Sequence, residues 1–255
     1  MSNKEAIGLD ILYEDADCLA VNKPAGLMVH SDGRDEGPFL TDWILEHYPE
    51  ASKVGDPMNG PDGQPLERGG IVHRLDRETS GVILIAKTAI GHEHLKKQFQ
   101  DRTIVKHYVT FVWGEMKEEF GTIDRPIGRS KSDFRRYSAG RGAKGDLREA
   151  TTFWVKKGWG TAPVDGSKEK FSFLEVEPKT GRTHQIRVHL SAVNHPVVAD
   201  KLYAPSRLPA LGFQRLALRS RSVEFNDLSG RRIKVAAPLP SDFRAALTLL
   251  GIEYL

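Results

Sequence analysis

Cysteine is nearly absent: the 255 residues hold one, Cys18. A lone thiol excludes an intrachain disulfide and any zinc site built from several cysteines. It suits a reducing compartment, so a cytoplasmic location is expected, with Cys18 as a small core residue. Long apolar runs are missing too. No stretch nears the roughly 20 residues that a membrane helix requires. The first residues, Met1-Ser2-Asn3-Lys4-Glu5, lack the apolar segment of a secretion signal. No membrane partner is expected. An excess of either charge is also lacking. Formal net charge is +3, which permits a nucleic-acid partner without requiring one. A hydrophobic share of 39% and a charged share of 28% exclude wholesale disorder.

Several familiar catalytic patterns are missing. There is no Gly-x-Ser-x-Gly elbow and no phosphate loop ending in Gly-Lys-Ser/Thr. Gly140, Gly142 and Gly145 have the dinucleotide spacing, but no buried strand precedes them and no apolar helix follows. They read as a flexible basic loop. His92-Glu93-His94 lacks the spacing of a zinc-protease helix, and His184 and His189 do not share a helix face. Neither metal nor cofactor is expected.

What the chain does hold is a succession of short elements without internal repeats. Cys18–Asn22 reads as a strand ended by a turn at Lys23-Pro24-Ala25-Gly26. Thr41 is the expected cap of a short helix stopped by Pro49. Residues 54–70 are rich in glycine and proline and read as a loop. Gly81–Ala86 is a continuous apolar run of buried-strand length. Thr88 then caps a helix to about Arg102, with Ile90, Leu95 and Phe99 as its apolar side. Lys106–Trp113 is strand-like, with Val109, Phe111 and Trp113 on one face and Tyr108, Thr110 and Val112 on the other.

Ala150–Val155 and Phe171–Val176 are further strands, and Thr183–Val193 is helical, with Asn194 suited to a left-handed end. Ser222–Phe225 and Ile233–Ala236 form a hairpin, and Ser241 caps a last helix closed by Gly251. Strands outnumber helices and come in groups, which predicts an α+β fold on a mixed, largely antiparallel sheet with flanking helices. No composition break forces a boundary, so residues 1–255 read as one domain. Basic residues concentrate in Arg125–Arg148 and again in Arg215–Lys234. By charge alone either cluster is a solvated face.

The most unusual segment is Ile71–Lys87. It sets His73, Arg74, Asp76, Arg77 and Glu78 directly before a buried strand, where a rigid scaffold can aim them. Composition alone would make this a surface ion-pair cluster. However, "HRLDRETSGVILIAK" (His73–Lys87) resembles the catalytic signature of the RluA-type RNA pseudouridine synthases. "VNKPAGLMVH" upstream, "KHY" (Lys106–Tyr108), and "PKTGRTHQIRVHLSAVNHPVVADKLY" (Pro178–Tyr203) agree in order and spacing. "RLALRS" (Arg215–Ser220) is a weaker fifth block.

The resemblance implies the pseudouridine synthase fold with a central catalytic cleft, an RNA substrate, ribosomal or transfer, and no cofactor or metal. It implies Asp76 as the catalytic aspartate, Tyr108 as the active-site tyrosine and Arg187 as the active-site arginine. Arg74 is implied to expel the target uridine and fill its place. Arg182 and Gln185 are implied to hold RNA or order the site, and His73 to shape the loop or meet RNA.

The chemistry is consistent with these roles. The N1–C1′ bond of uridine breaks, the base turns, and C5 joins the sugar, with no redox step. A carboxylate attacks the ribose or stabilises the cationic sugar, two routes the residues leave open. It must stay ionised in a partly dry pocket, which an opposite charge within about 4–6 Å favours. Arg187 is the natural counter-charge. Tyrosine stacks on uracil and moves a proton.

A stacked base must flip out, at a cost of a few kcal/mol. The basic loop at 129–148 and the loop at 54–70 are expected to grip backbone. The small basic module that often precedes the family's catalytic domain is expected to be absent, and a monomer is the default. Arg219 stands where many relatives carry histidine, and a structural or RNA-contact effect is expected there. Two other classes stay open: a catalytically silent RNA-binding protein of the same fold, and a hydrolase using a single carboxylate.

Overall fold

The computed structural model describes residues 8–31, 37–56, 68–140 and 142–254. In chain order the elements are β1 (Asp10–Glu14), β2 (Cys18–Lys23), α1 (Leu40–His47), β3 (Ser80–Ala86), α2 (Ala89–Gln100) and β4 (Val105–Trp113). Then come β5 (Phe120–Asp124), β6 (Ile127–Ser130), β7 (Tyr137–Ala139), β8 (Ala143–Arg148), β9 (Thr151–Val164) and β10 (Ser167–Pro178). The last are α3 (Gln185–Ala192), β11 (Leu218–Asn226), β12 (Arg232–Ala236) and α4 (Ser241–Leu250). They pack as two compact units, Met1–Val105 with Ser222–Ala237, and Lys106–Arg221 with Pro238–Leu255. The fold is α+β, and the described pairings between strands are antiparallel in both units.

In the first unit β2 pairs with β1 on one side and β3 on the other, Cys18 opposite Ala86 and Asn22 opposite Val82. Every residue of β3 is buried. Cys18, Ala20, Val82, Leu84 and Ala86 meet Leu95, Val223, Phe225 and Val235 in one core cluster. Leu19, Val21, Ile83 and Ile85, which point the other way, are also fully buried. A strand covered on both faces needs no alternation, which is why this run reads as continuously apolar. Thr88 caps α2 by accepting the N–H of Gly91 at 3.0 Å. Two expectations fail here. Ile90 is 70% exposed rather than on the packed side of α2. Phe39, not Thr41, is the N-cap of α1: its N–H donates to Asp42 Oδ2 and its carbonyl accepts from Asp42 N–H. Thr41 is buried within the first turn.

The second unit is built on the order β4-β10-β9-β5. Tyr108 lies opposite Val176, and Phe111 opposite Phe173. The rings of Phe111, Phe173, Phe213 and Phe243 form its aromatic centre, with centroids 4.7–5.6 Å apart. Both faces of the end of β4 are buried, so its alternation does not mark a solvent face. β9 and β10 run far beyond the expected strands and are joined by Asp165-Gly166, with φ of 47° and 78°. Asp-Gly with both φ positive is the turn whose twist matches an antiparallel hairpin.

The basic stretch at 129–148 is not a plain loop. It forms a three-stranded sheet in the order β7-β6-β8, with Gly140 at φ 88° in the β7–β8 turn. Gly142 lies in the same turn, and Gly145 lies within β8 at φ 70°. In α4, Pro240 rather than Ser241 is the N-cap, and Gly251 closes the helix at φ 66°. The expected loop at 54–70 lies largely outside the described residues.

Candidate active site

The aspartate loop belongs to the first unit and is held mainly through its backbone. Thr79 N–H donates to the Asp76 carbonyl at 3.0 Å. Leu75, Thr79 and Ser80 are buried, Asp76 is half-buried, and Arg74 and Arg77 are exposed. His73 turns back onto β3. Its Nε2 accepts the N–H of Leu84 at 2.9 Å, and its ring lies 4.7 Å from that of Phe99. Accepting at Nε2 requires the neutral imidazole with its proton on Nδ1. Arg74 lies exposed on the same loop.

Lys23, unnoticed in the sequence, clamps this loop. Its side chain is fully buried, and Nζ donates to the carbonyls of Leu27 at 2.6 Å, Pro24 at 2.9 Å and Arg77 at 3.1 Å. A buried ammonium is costly unless dipoles surround it, and these carbonyls supply them. Gly26 N–H donates to the Arg77 carbonyl at 2.9 Å, and Arg77 Nε donates back to the Gly26 carbonyl at 3.2 Å. The φ of 87° at Gly26 permits that turn. The Asn22-Lys23-Pro24-Ala25-Gly26 turn thus sets the far side of the Asp76 loop.

Tyr108 and Arg187 belong to the second unit. Tyr108 is a buried residue of β4. Two residues earlier, half-buried Lys106 donates to the Thr180 carbonyl at 3.3 Å, and burial pushes its pKa down to about 8. Arg187 rises from the first turn of α3, and its Nε and Nη2 donate to Asp200 Oδ2 and Oδ1 at 2.8 and 2.9 Å. The Asp200 side chain is fully buried. This is the bidentate geometry in which a guanidinium is held most rigidly.

Gln185 orders the turn before α3. Its Oε1 accepts from Thr180 Oγ1 at 2.6 Å and Arg182 N–H at 3.0 Å, and its Nε2 donates to the Thr151 carbonyl and Thr152 Oγ1, both at 3.0 Å. Arg182 Nε donates to the Glu149 carbonyl at 3.0 Å. His189 continues the network, with Nδ1 2.8 Å from Thr152 Oγ1 and Nε2 2.9 Å from the Arg125 carbonyl, and burial lowers its pKa.

The structure brings His73, Arg74 and Asp76 onto one braced loop, and Arg182, Gln185 and Arg187 onto one helix start. Arg219 is buried and donates to the Pro238 carbonyl at 2.7 Å. Lys23, Asp200 and Tyr203 were not singled out from the sequence. The signal for Lys23 was a lysine at the end of an apolar strand; for the other two it was their place in the long C-terminal block. Asp56, His92 and Glu93 lie close enough for a cation, but Lys96 already pairs with Asp56 at 2.6 Å.

Residues 17–192 match the family model described as RNA pseudouridylate synthase. An uncharacterised RNA pseudouridine synthase of Aquifex aeolicus is 40% identical over 78% of this chain and 57% of its own length. One from Bacillus subtilis is 34% identical over 93% of this chain and 71% of its own. The ribosomal large subunit pseudouridine synthase D of Neisseria meningitidis is 35% identical, over 98% of this chain and 63% of its own length. The chain therefore spans less than two thirds of the Aquifex and Neisseria relatives. In fold it is similar to the solved human RNA pseudouridylate synthase domain containing 1, with a TM-score of 0.71 at 24% identity over 94% of this chain and 87% of that one. No helix among the described residues is long and apolar enough to cross a membrane. By that family match and these relatives, the chain belongs to the RNA pseudouridine synthase family.

Proposed function

We propose that this chain converts uridine in structured RNA, a ribosomal or transfer RNA stem-loop, to pseudouridine. The observation that carries the reading is family membership joined to an Asp76 loop braced from two sides, by Lys23 and by His73. In this reading Asp76 attacks C1′ or stabilises the cation there as the N1–C1′ bond breaks. The uracil turns, C5 bonds to C1′, the C5 proton leaves, and N1 is protonated, so nothing is gained or lost overall. Tyr108 stacks on the base and handles a proton, and Arg187, held by Asp200, is the active-site arginine of this reading.

Arg74, exposed on its loop, fills the space the flipped base leaves. Exposed Arg129, Lys144 and Arg148 on the small sheet, and Lys131 and Arg135 between β6 and β7, grip phosphates together with Arg182. About six such contacts give a log K against log salt slope near −4 on single-stranded RNA. The protein works as a monomer in the cytoplasm, acting as one catalytic domain without cofactor or metal.

The test uses cellular RNA carrying tritium at uracil C5. Joining C5 to the sugar expels that tritium into water. Release by the wild type, and none by Asp76→Ala, supports both the reaction and the role of Asp76. Free uracil in place of pseudouridine would point to hydrolysis. RNA binding without release, on RNA never modified before, would favour a silent binding protein.

A further inference from the structure

Asp200 does more than pair with Arg187. Its Oδ1 also accepts the N–H groups of Leu202 and Tyr203 at 3.0 and 2.9 Å. This folds the chain back so that the Tyr203 ring lies under the guanidinium, with Arg187 Cζ 5.0 Å from the ring centroid. The guanidinium is fixed at one edge by a carboxylate and on one face by a ring. Those two restraints define both its position and its plane.

The Tyr203 hydroxyl then ties this assembly to the basic sheet. Its oxygen accepts the N–H of Tyr137, the first residue of β7, at 2.9 Å. His184 Nδ1 lies 2.9 Å from the same oxygen. The backbone N–H donates to this oxygen, and the imidazole tautomer sets the direction of the His184 bond. His184 is the left-handed N-cap of α3, at φ 56°, and its ring stands edge-on to those of both Tyr137 and Tyr203. Arg129 of β6 covers the Tyr137 ring at 4.9 Å. Tyr137 and Tyr203 both pack on the small core of Ile127, Ala150 and Val188. A phenylalanine at 203 would fill the same space; the hydroxyl adds two bonds, one to the edge of the basic sheet and one to the start of α3.

We propose that Tyr203 is a positioning residue for Arg187, holding the guanidinium by its ring and coupling it through its hydroxyl to the RNA-gripping sheet. This rests on the reading of Arg187 as the active-site arginine. The ring and the hydroxyl have separable effects. Tyr203→Phe keeps the ring and loses the tie, so KM for RNA rises about 3- to 10-fold while most of kcat is kept. Tyr203→Leu loses both, so kcat also falls, on the order of 10- to 100-fold, as the guanidinium drifts. A residue that merely filled space would not divide KM from kcat in this way.

The experiment measures tritium release for wild type, Tyr203→Phe and Tyr203→Leu, with Tyr203→Met as a ringless variant of similar bulk should the leucine form not fold. Alongside it, the Arg187 Nε–H resonance, assigned by its loss in Arg187→Lys, is recorded for each. The resonance should be shifted upfield by the ring in wild type and Tyr203→Phe and released in the ringless variant. A folded ringless variant with wild-type kcat, or an unmoved resonance, overturns the proposal. Equal loss of kcat in Tyr203→Phe and the ringless variant overturns it as well. If the wild type releases no tritium, the isomerase reading itself fails and this role with it; an active wild type without the graded series sinks only the role.

Discussion

The buried ammonium of Lys23 donates to the carbonyl of Arg77, 54 positions along the chain, at 3.1 Å. That bond joins the turn after β2 to the residue next to Asp76. The same carbonyl takes the N–H of Gly26. The aspartate loop is therefore anchored to this turn through its main chain.

Replacing Lys23 with methionine keeps the length but removes the donor. The carbonyls of Pro24, Leu27 and Arg77 then lose a shared partner inside the protein. The expected loss of stability is about 2–4 kcal/mol, with tritium release falling further than the folded fraction does. Urea unfolding and release assays on the same preparation check this, and an active, wild-type-stable Lys23→Met refutes the clamp.

Gln185 is expected to order its turn rather than touch RNA. Gln185→Leu leaves Thr180, Arg182, Thr151 and Thr152 without their shared partner. Stability should fall by about 2–4 kcal/mol. The salt slope of RNA binding, measured on folded protein, should not change. A lower slope with intact stability would mean that Gln185 acts on the RNA.

Gly70 has φ 69°, and a Cβ added there would lie 1.8 Å from the Ala86 carbonyl oxygen. Ala86 N–H also donates to the Gly70 carbonyl at 2.9 Å, so neither the Gly70 turn nor β3 can retreat without losing that bond. Gly70→Ala should cost about 3 kcal/mol or more and lower the soluble yield. A melting temperature within a few degrees of wild type would contradict the close approach.

Lys106 gives a pH dependence of definite sign. Folded, it titrates near about 8, because burial disfavours the ammonium; its ordinary value is 10.5. Between these values the unfolded chain holds more protons, so rising pH favours the folded state, by at most about 1.4 kcal/mol per pH unit. The relief is complete above 10.5 and is lost as pH falls through 8. The stability difference between wild type and Lys106→Met should therefore climb across that window and be flat below it. A difference that is level from pH 7 to 10.5 shows that Lys106 is not strained by burial.

What the sequence determined by itself was whatever local chemistry controls. The run Gly81–Ala86 had the length and continuity of a buried strand, and Thr88, Asn194 and Gly251 sit where cap geometry or a left-handed backbone asks for them. The spacing of the aspartate, tyrosine and arginine blocks identified the family. Tertiary structure decided the rest, because the deciding partners are distant in sequence. β9 hides in a stretch with Gly158 and Gly160, residues that weaken a strand signal. They are there because a Cβ at Gly160 would lie 2.6 Å from the Leu250 carbonyl oxygen. The basic stretch became a sheet through pairings that charge does not reveal. Lys23 read only as the first residue of a turn, and the Arg77 carbonyl that it meets lies 54 positions away. Tyr203 looked like one more residue of a matched block until its ring closed under Arg187.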